Sequence, residues 1–175
     1  MAEPPGFRER LAWDPARGEL RDGDVRYLII RGDTLMGLFR ALPERERAAA
    51  LEALERSVVE HGRRSAQRYQ AMGAAEARAL LGVIEATAPQ LGWGVWRFTE
   101  ISERGLVLEV RNSPFAAGYG ASATPVCHAI AGMLRAVGAL ALGGEVRVAE
   151  EQCGAQGHSH CRLRAVVTPE AGSLR

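Results

Sequence analysis

The chain has 175 residues, a net charge of +1, and apolar and charged fractions of 47% and 25%, the make-up of an ordinary globular protein of one domain. That charge gives no electrostatic case for nucleic acid or an anionic membrane. No apolar run reaches the roughly 18 residues that span a bilayer, and no secretory h-region opens the chain. The cytoplasm is therefore the expected location, and three cysteines, an odd number of thiols, favour metal binding over disulfides there.

Residues 1–24 read as a loosely packed lead-in, tied down by Phe7, Leu11 and Trp13. Residues 25–30 (V-R-Y-L-I-I) are short and β-prone, a strand that Gly32-Asp33 breaks. Asp33 is placed to N-cap a helix over 34–42 with Leu35, Leu38 and Phe39 on one face. Pro43 opens a longer helix to about Met72, with Leu51, Leu54, Val58 and Tyr69 on one stripe and Glu52/Arg56 and Glu60/Arg64 as i,i+4 pairs. A third helix over 74–88 buries Ala77, Leu80, Leu81 and Ile84, and Pro89 and Gly92 close it.

The pattern then changes from period 3.6 to period 2. Residues 93–101 and 106–111 read as a β-hairpin turning at S-E-R-G. Residues 112–123 (N-S-P-F-A-A-G-Y-G-A-S-A) read as a small-residue loop carrying Phe115 and Tyr119. Thr124 and Pro125 suit the start of a helix over 125–142. That helix is apolar nearly all round, which predicts burial on more than one side. Residues 145–152 and 162–167 read as two further strands, and the tail from Pro169 as disordered. Helices and antiparallel strands in separate runs predict an α+β fold, an antiparallel sheet packed on a helical layer over residues 25–168.

The chemistry concentrates between the last two strands, in E-E-Q-C-G-A-Q-G-H-S-H-C. Cys153 and Cys161 flank a loop turning at Gly157, and Cys127 lies at the start of the preceding helix, where the positive helix end lowers a thiol pKa. Three thiolates and one acid make a tetrahedral set for Zn2+. Strict strand alternation puts Glu151 on the face of Cys153; Glu150 reaches only across a bulge, and His128, His158 and His160 are also near. Four protein ligands make a closed, structural site. No phosphate loop or dinucleotide fingerprint is present, and adjacent Cys127 and His128 point about 100° apart on a helix, so they are no catalytic pair. Trp93, Trp96, Phe98, Phe115 and Tyr119 suit an apolar pocket between sheet and helices, with 112–123 as its lid.

The stretches V-R-N-S-P-F-A, P-V-C-H-A-I-A-G and G-G-E-V-R-V-A-E-E-Q-C-G-A-Q-G-H-S-H-C-R-L resemble the 4-vinyl reductase domain family, a small-molecule-binding family named for a bacteriochlorophyll-synthesis protein. They are also similar to the sensor domains of phenol- and xylene-responsive activators. The resemblance implies the fold of vesicle-tethering (TRAPP-type) subunits and nitric-oxide sensors, a homodimer formed through helices, and structural zinc at Cys127, Cys153 and Cys161. It places the carboxylate ligand at Glu150, against the alternation argument, and so implies an irregular strand there. Phenol sensors carry a Trp before the K/R-N-S stretch and a pocket His; here Val110 stands at the first position and no His lies between His61 and His128. The implied ligand, lined by Trp93, Trp96, Phe98, Val110, Phe115 and Tyr119, is larger or more apolar than phenol, such as a tetrapyrrole precursor held for sensing or delivery. The other functions in view are vinyl reduction, for which no nicotinamide or flavin motif is visible, and a dimerising adaptor.

Overall fold

The computed structural model describes residues 6–71, 73, 74 and 76–168; the expected disordered tail lies outside them, as does Met72. The sheet that organises the molecule has four antiparallel strands in the order β4-β5-β7-β6: β4 (Val95–Ser102), β5 (Gly105–Arg111), β7 (Cys161–Val167) and β6 (Val146–Gln152). One face is apolar. Leu106, Leu108 and Val110 of β5 and Cys161, Leu163 and Ala165 of β7 alternate inward and are buried, as a period of two requires. The other face carries a lattice in which Arg162 reaches Glu100, Glu109 and Glu151, and Arg164 reaches Glu100 and Glu151.

The helix α6 (His128–Leu142) covers the apolar face. The long helix α3 (Glu44–Ala71) packs along its far side, and α4 (Ala77–Gln90) contacts both α6 and β4. Burial of α6 between sheet and α3 explains its all-round apolarity. Ile130, Leu134 and Val137 are fully buried, and each such side chain contributes roughly 2 kcal/mol of transfer free energy. Two glycines permit the sandwich. A Cβ on Gly132 would lie 2.5 Å from the Glu55 carbonyl oxygen of α3, and one on Gly138 would lie 3.3 Å from Val146 Cγ2 of the sheet. Gly143, at φ 71°, ends the helix in the left-handed cap that glycine favours.

Four expectations are corrected. The lead-in is built, not loose: α1 (Phe7–Arg10) precedes a three-stranded sheet of β1 (Ala12–Asp14), β2 (Glu19–Asp22) and β3 (Val25–Tyr27). Strands of three or four residues are too short to show periodicity, and Gly18 and Gly23, both at φ 62°, supply their turns. The strand β3 stops at Tyr27, and α2 (Gly32–Arg40) is N-capped by Arg31 in place of Asp33, which instead pairs with the Arg31 guanidinium. Residues 112–123 contain a helix, α5 (Pro114–Tyr119), capped by Ser113, whose Oγ accepts from the Ala116 N–H. Finally, α6 starts at His128 with Cys127 as its N-cap. Ser122 and Thr124 bond each other in a turn before it, and the extended stretch between carries Cys127 to the sheet. Pro89 lies inside α4, which ends at Gln90. No helix among the described residues is long and apolar enough to cross a membrane.

Candidate functional site

Two places in the fold carry chemistry. The first is a cluster of Cys127, Glu150, Cys153 and Cys161, whose ligand atoms all lie within 4.8 Å of one another. Cys127 arrives from the N-cap of α6, Glu150 from β6, Cys161 from the first residue of β7, and Cys153 from the head of the short 3-10 turn Gly154–Gln156. The three thiols are free and buried. The register resolves the competition between the two glutamates. Glu150 pairs with Leu163 and Gln152 with Arg162, so one extra residue sits in β6 at this point. That bulge breaks the alternation: Val146, Val148, Glu150 and then Cys153 face inward, while Glu151 turns outward to Arg162 and Arg164.

The donor set fits a tetrahedral metal ion. The Cys127 sulfur lies 3.8 Å from that of Cys153 and 3.5 Å from that of Cys161. Tetrahedral zinc with bonds of about 2.3 Å separates its sulfurs by about 3.8 Å. Glu150 Oε2 accepts the Cys127 N–H at 3.0 Å, whereas the buried Glu150 Oε1 has no partner, the orphan that a cation would satisfy. Two further donors steady the sulfurs: Gly154 N–H to Cys161 Sγ at 3.2 Å, and the Ser113 hydroxyl, 3.3 Å from Cys127 Sγ. Neither is expected from the sequence, although the N-S-P-F stretch is in view there. In the metal-free cluster, burial first and Cys153 second push the Glu150 carboxyl up to about 8. The Cys127 thiol, hydrogen-bonded to Cys153 and Cys161 and buried, is pushed far above its ordinary range. The helix end therefore does not decide the Cys127 pKa; the neighbouring sulfurs do.

The histidines stand apart from the cluster. His128 Nδ1 bonds Glu55 at 3.1 Å across the α3–α6 seam, His160 Nδ1 bonds the Ser159 hydroxyl, and His158 is exposed.

The second place is a cavity of about 730 Å³ enclosed by α3, α4, α6 and the N-terminal segment. Trp93, Trp96 and Phe115 line it as a group. Trp93 meets Phe115 edge-on at 5.1 Å, and the Trp96 indole N–H is held by the Trp93 carbonyl at 3.0 Å. Phe98, Val110 and Tyr119 lie elsewhere. Phe98 packs half-buried on the core from β4. Val110 is fully buried below a more open cleft of about 630 Å³ between α5 and the Cys loop. Tyr119 is buried at the end of α5, where the Arg40 guanidinium holds its carbonyl. The remaining walls come from Tyr27, Val58, Tyr69, Ile84 and Met133. Val58 and Tyr69 are visible in the sequence as part of the α3 stripe; the part played by the N-terminal segment carries no signal there.

No curated protein matches the chain by sequence. Among solved structures, it is similar to the phenol-responsive sensory domain of the transcription activator PoxR, solved with phenol, at 18% identity and TM-score 0.79, covering 92% of this chain and 86% of that one. It is also similar to trafficking protein particle complex subunit 3 from Naegleria fowleri, covalently bound to palmitic acid, at 14% identity and TM-score 0.56, covering 79% and 95%. A third neighbour is a vinyl-4-reductase family protein from Methanocaldococcus jannaschii, at 12% identity and TM-score 0.51, covering 82% and 98%. At these identities the likeness is one of fold. The sequence itself is matched by a family profile over β5, α5, α6, β6 and β7, the stretch that holds all four cluster residues, so that residues 106–167 are identified as a 4-vinyl reductase (V-4-R) domain.

Proposed function

We propose that this protein is a small-molecule-binding domain that holds an apolar ligand in the cavity between α3, α4 and α6, and that a structural zinc ion clasps the last hairpin to α6. The observation that carries the reading is the cavity itself: about 730 Å³, walled by Trp93, Trp96, Phe115, Ile84 and Met133, a size and lining typical of a ligand site. Sensing is the use that the likeness to the PoxR sensory domain favours, and a flat aromatic ligand, a tetrapyrrole precursor included, suits stacking against Trp93 and Phe115.

Cys127, Cys153, Cys161 and Glu150 would hold the zinc, which would supply cross-linking and charge neutralisation. Four protein ligands leave the ion no open position for substrate. The residues of the chain then do the rest: the bulge at Glu151 aims Glu150 inward, Ser113 and Gly154 orient sulfurs, and α6 carries the constraint from the clasp to Met133 at the cavity wall. A homodimer would cover Trp13, Leu28, Ile29 and Leu38, all large apolar side chains at least 61% exposed.

The test is titration of purified full-length protein with aromatic hydrocarbons and porphyrins, read by tryptophan fluorescence and calorimetry, together with mass spectrometry of any co-purified compound. Saturable binding that Trp96→Ala and Ile84→Trp both weaken is expected. Absence of binding by every compound sinks the ligand reading, and metal analysis far below one equivalent sinks the zinc.

A further inference from the structure

We propose that the cavity selects apolar ligands bearing a carboxylate, and that Arg8 is the residue that recognises the acid. This rests on the reading above that the cavity is a ligand site. The first observation is a bias in the lining. The chain has 21 acidic residues, yet neither Asp nor Glu lines the cavity, whose ionisable side chains are Arg8, Tyr27, His61 and Tyr69. Burial, first among the causes, pushes the Tyr27 phenol up, so it stays neutral and can only hydrogen-bond. The one fixed charge facing the cavity is therefore positive.

The second observation is that Arg8 is held in place. Its backbone N–H donates to Gln90 Oε1 at 3.0 Å and its Nε to the Gln90 carbonyl oxygen at 3.3 Å. Gln90 is itself fixed, with Nε2 donating to the Ala86 carbonyl at 3.0 Å at the end of α4. Two contacts to one residue orient the guanidinium and leave its two Nη groups as donors, in the geometry that grips a carboxylate through parallel bonds. The acids nearest in sequence are otherwise engaged. Glu9 accepts the Gly6 N–H at 2.9 Å, which caps its own helix, and Asp22 is paired with Arg10 at 3.1 Å. No salt bridge to Arg8 forms among the described residues. An apolar amine in the same place would meet a like charge, and an alcohol would gain only a neutral hydrogen bond.

Matched probes with one apolar body separate these cases: 1-naphthaleneacetate, 2-(1-naphthyl)ethanol and 2-(1-naphthyl)ethylamine, titrated calorimetrically into the full chain at low salt. The acid should bind about fivefold tighter than the alcohol, the scale of an ion pair at a partly exposed cation, with the amine weakest. In Arg8→Gln the acid should fall to the alcohol's affinity while the alcohol's own is unchanged. Raising the salt should shrink the acid's advantage in the parent protein and leave the variant unaffected. An alcohol that binds the parent as tightly as the acid overturns the proposal and leaves the ligand site standing. Failure of all three to bind, with porphyrins and hydrocarbons also silent, overturns both. The parent series decides the matter even if Arg8→Gln loosens α1.

Discussion

The cysteine cluster and the cavity are opposites built on one helix. The cluster is small, sulfur-rich and closed, with its ligand atoms within 4.8 Å; the cavity is wide, apolar and lined from five separate stretches of chain. In the cluster every atom is over-determined, by a bulge, a helix cap and three hydrogen bonds. In the cavity the walls are held by ordinary packing, and Met133 is an adaptable side chain. The contrast divides the labour: rigidity is concentrated where a metal would hold the fold, and tolerance is left where a ligand must enter. If that division holds, substitutions at the cluster change stability first, and substitutions at the cavity change binding with little effect on stability.

The largest effect expected is from Cys153→Ser. Loss of one thiolate should release the metal and cost about 4 kcal/mol of unfolding free energy, since metal binding and folding are coupled. Urea unfolding and metal stoichiometry check it; a variant that keeps one metal and the parent midpoint removes the clasp from the account.

Next in size is a reversal of pH dependence between the metal-loaded and metal-free protein. Without metal the Glu150 carboxyl is raised to about 8 from an ordinary value of 4.5, so its contribution is fully present below about pH 4.5 and fades as pH rises through 8, a loss on the order of a few kcal/mol. With metal the sign inverts, because the carboxylate and thiolates must be deprotonated to bind it and affinity rises with pH. Thermal melts between pH 5 and 9, with and without a chelator, should slope in opposite directions. Parallel slopes would show that Glu150 is no ligand.

Glu150→Gln and Glu151→Gln, neighbours in sequence, should then separate cleanly. The first should lower metal affinity at least tenfold. The second removes only exposed contacts to Arg162 and Arg164, so metal affinity should be unchanged and stability altered by less than about 1 kcal/mol. A zinc competition assay with a chromophoric chelator distinguishes the two.

The order in which these residues become legible follows from physics. The sheet, the α6 sandwich and the sulfur set are visible in the sequence because each depends on a pattern within about twenty residues: alternation in β5 and β7, all-round apolarity in α6, and the spacing of Cys153 and Cys161. The choice of Glu150 over Glu151 does not follow from alternation, since a bulge is a single inserted residue with no composition of its own; only the family resemblance points to it. The helix α5 is hidden because Ala and Gly in N-S-P-F-A-A-G-Y dilute any periodicity, although Ser113 before Pro114 is an ordinary helix start. The cavity is only half legible. Trp93, Trp96 and Phe115 read correctly as its wall, but Phe98 and Tyr119 join them in the sequence only for being aromatic. A bulge between Phe98 and Glu100 and the end of α5 place those two elsewhere. The contribution of Phe7, Tyr27 and Arg8 depends on an N-terminal sheet whose strands are too short to announce themselves.

The smallest effect expected on stability, and the one that tests the tolerant side of the division, is at Gly62. This glycine is buried on α3 at the cavity wall, where an added Cβ would come within 3.0 Å of Met133 Cε and 3.1 Å of its Sδ. The clash is with the far end of a flexible side chain, so Met133 can swing away at little cost, and the helix gains up to about 1 kcal/mol from replacing glycine with alanine. The two terms nearly cancel, and Gly62→Ala should unfold within about 1 kcal/mol of the parent. The room Met133 moves into is the cavity, which therefore shrinks. Bulky ligands should lose affinity several-fold while small ones are spared. Comparative titration with a porphyrin and a single-ring aromatic reads this directly. Equal loss for both would mean that the wall is as rigid as the clasp, and the division between them would fail.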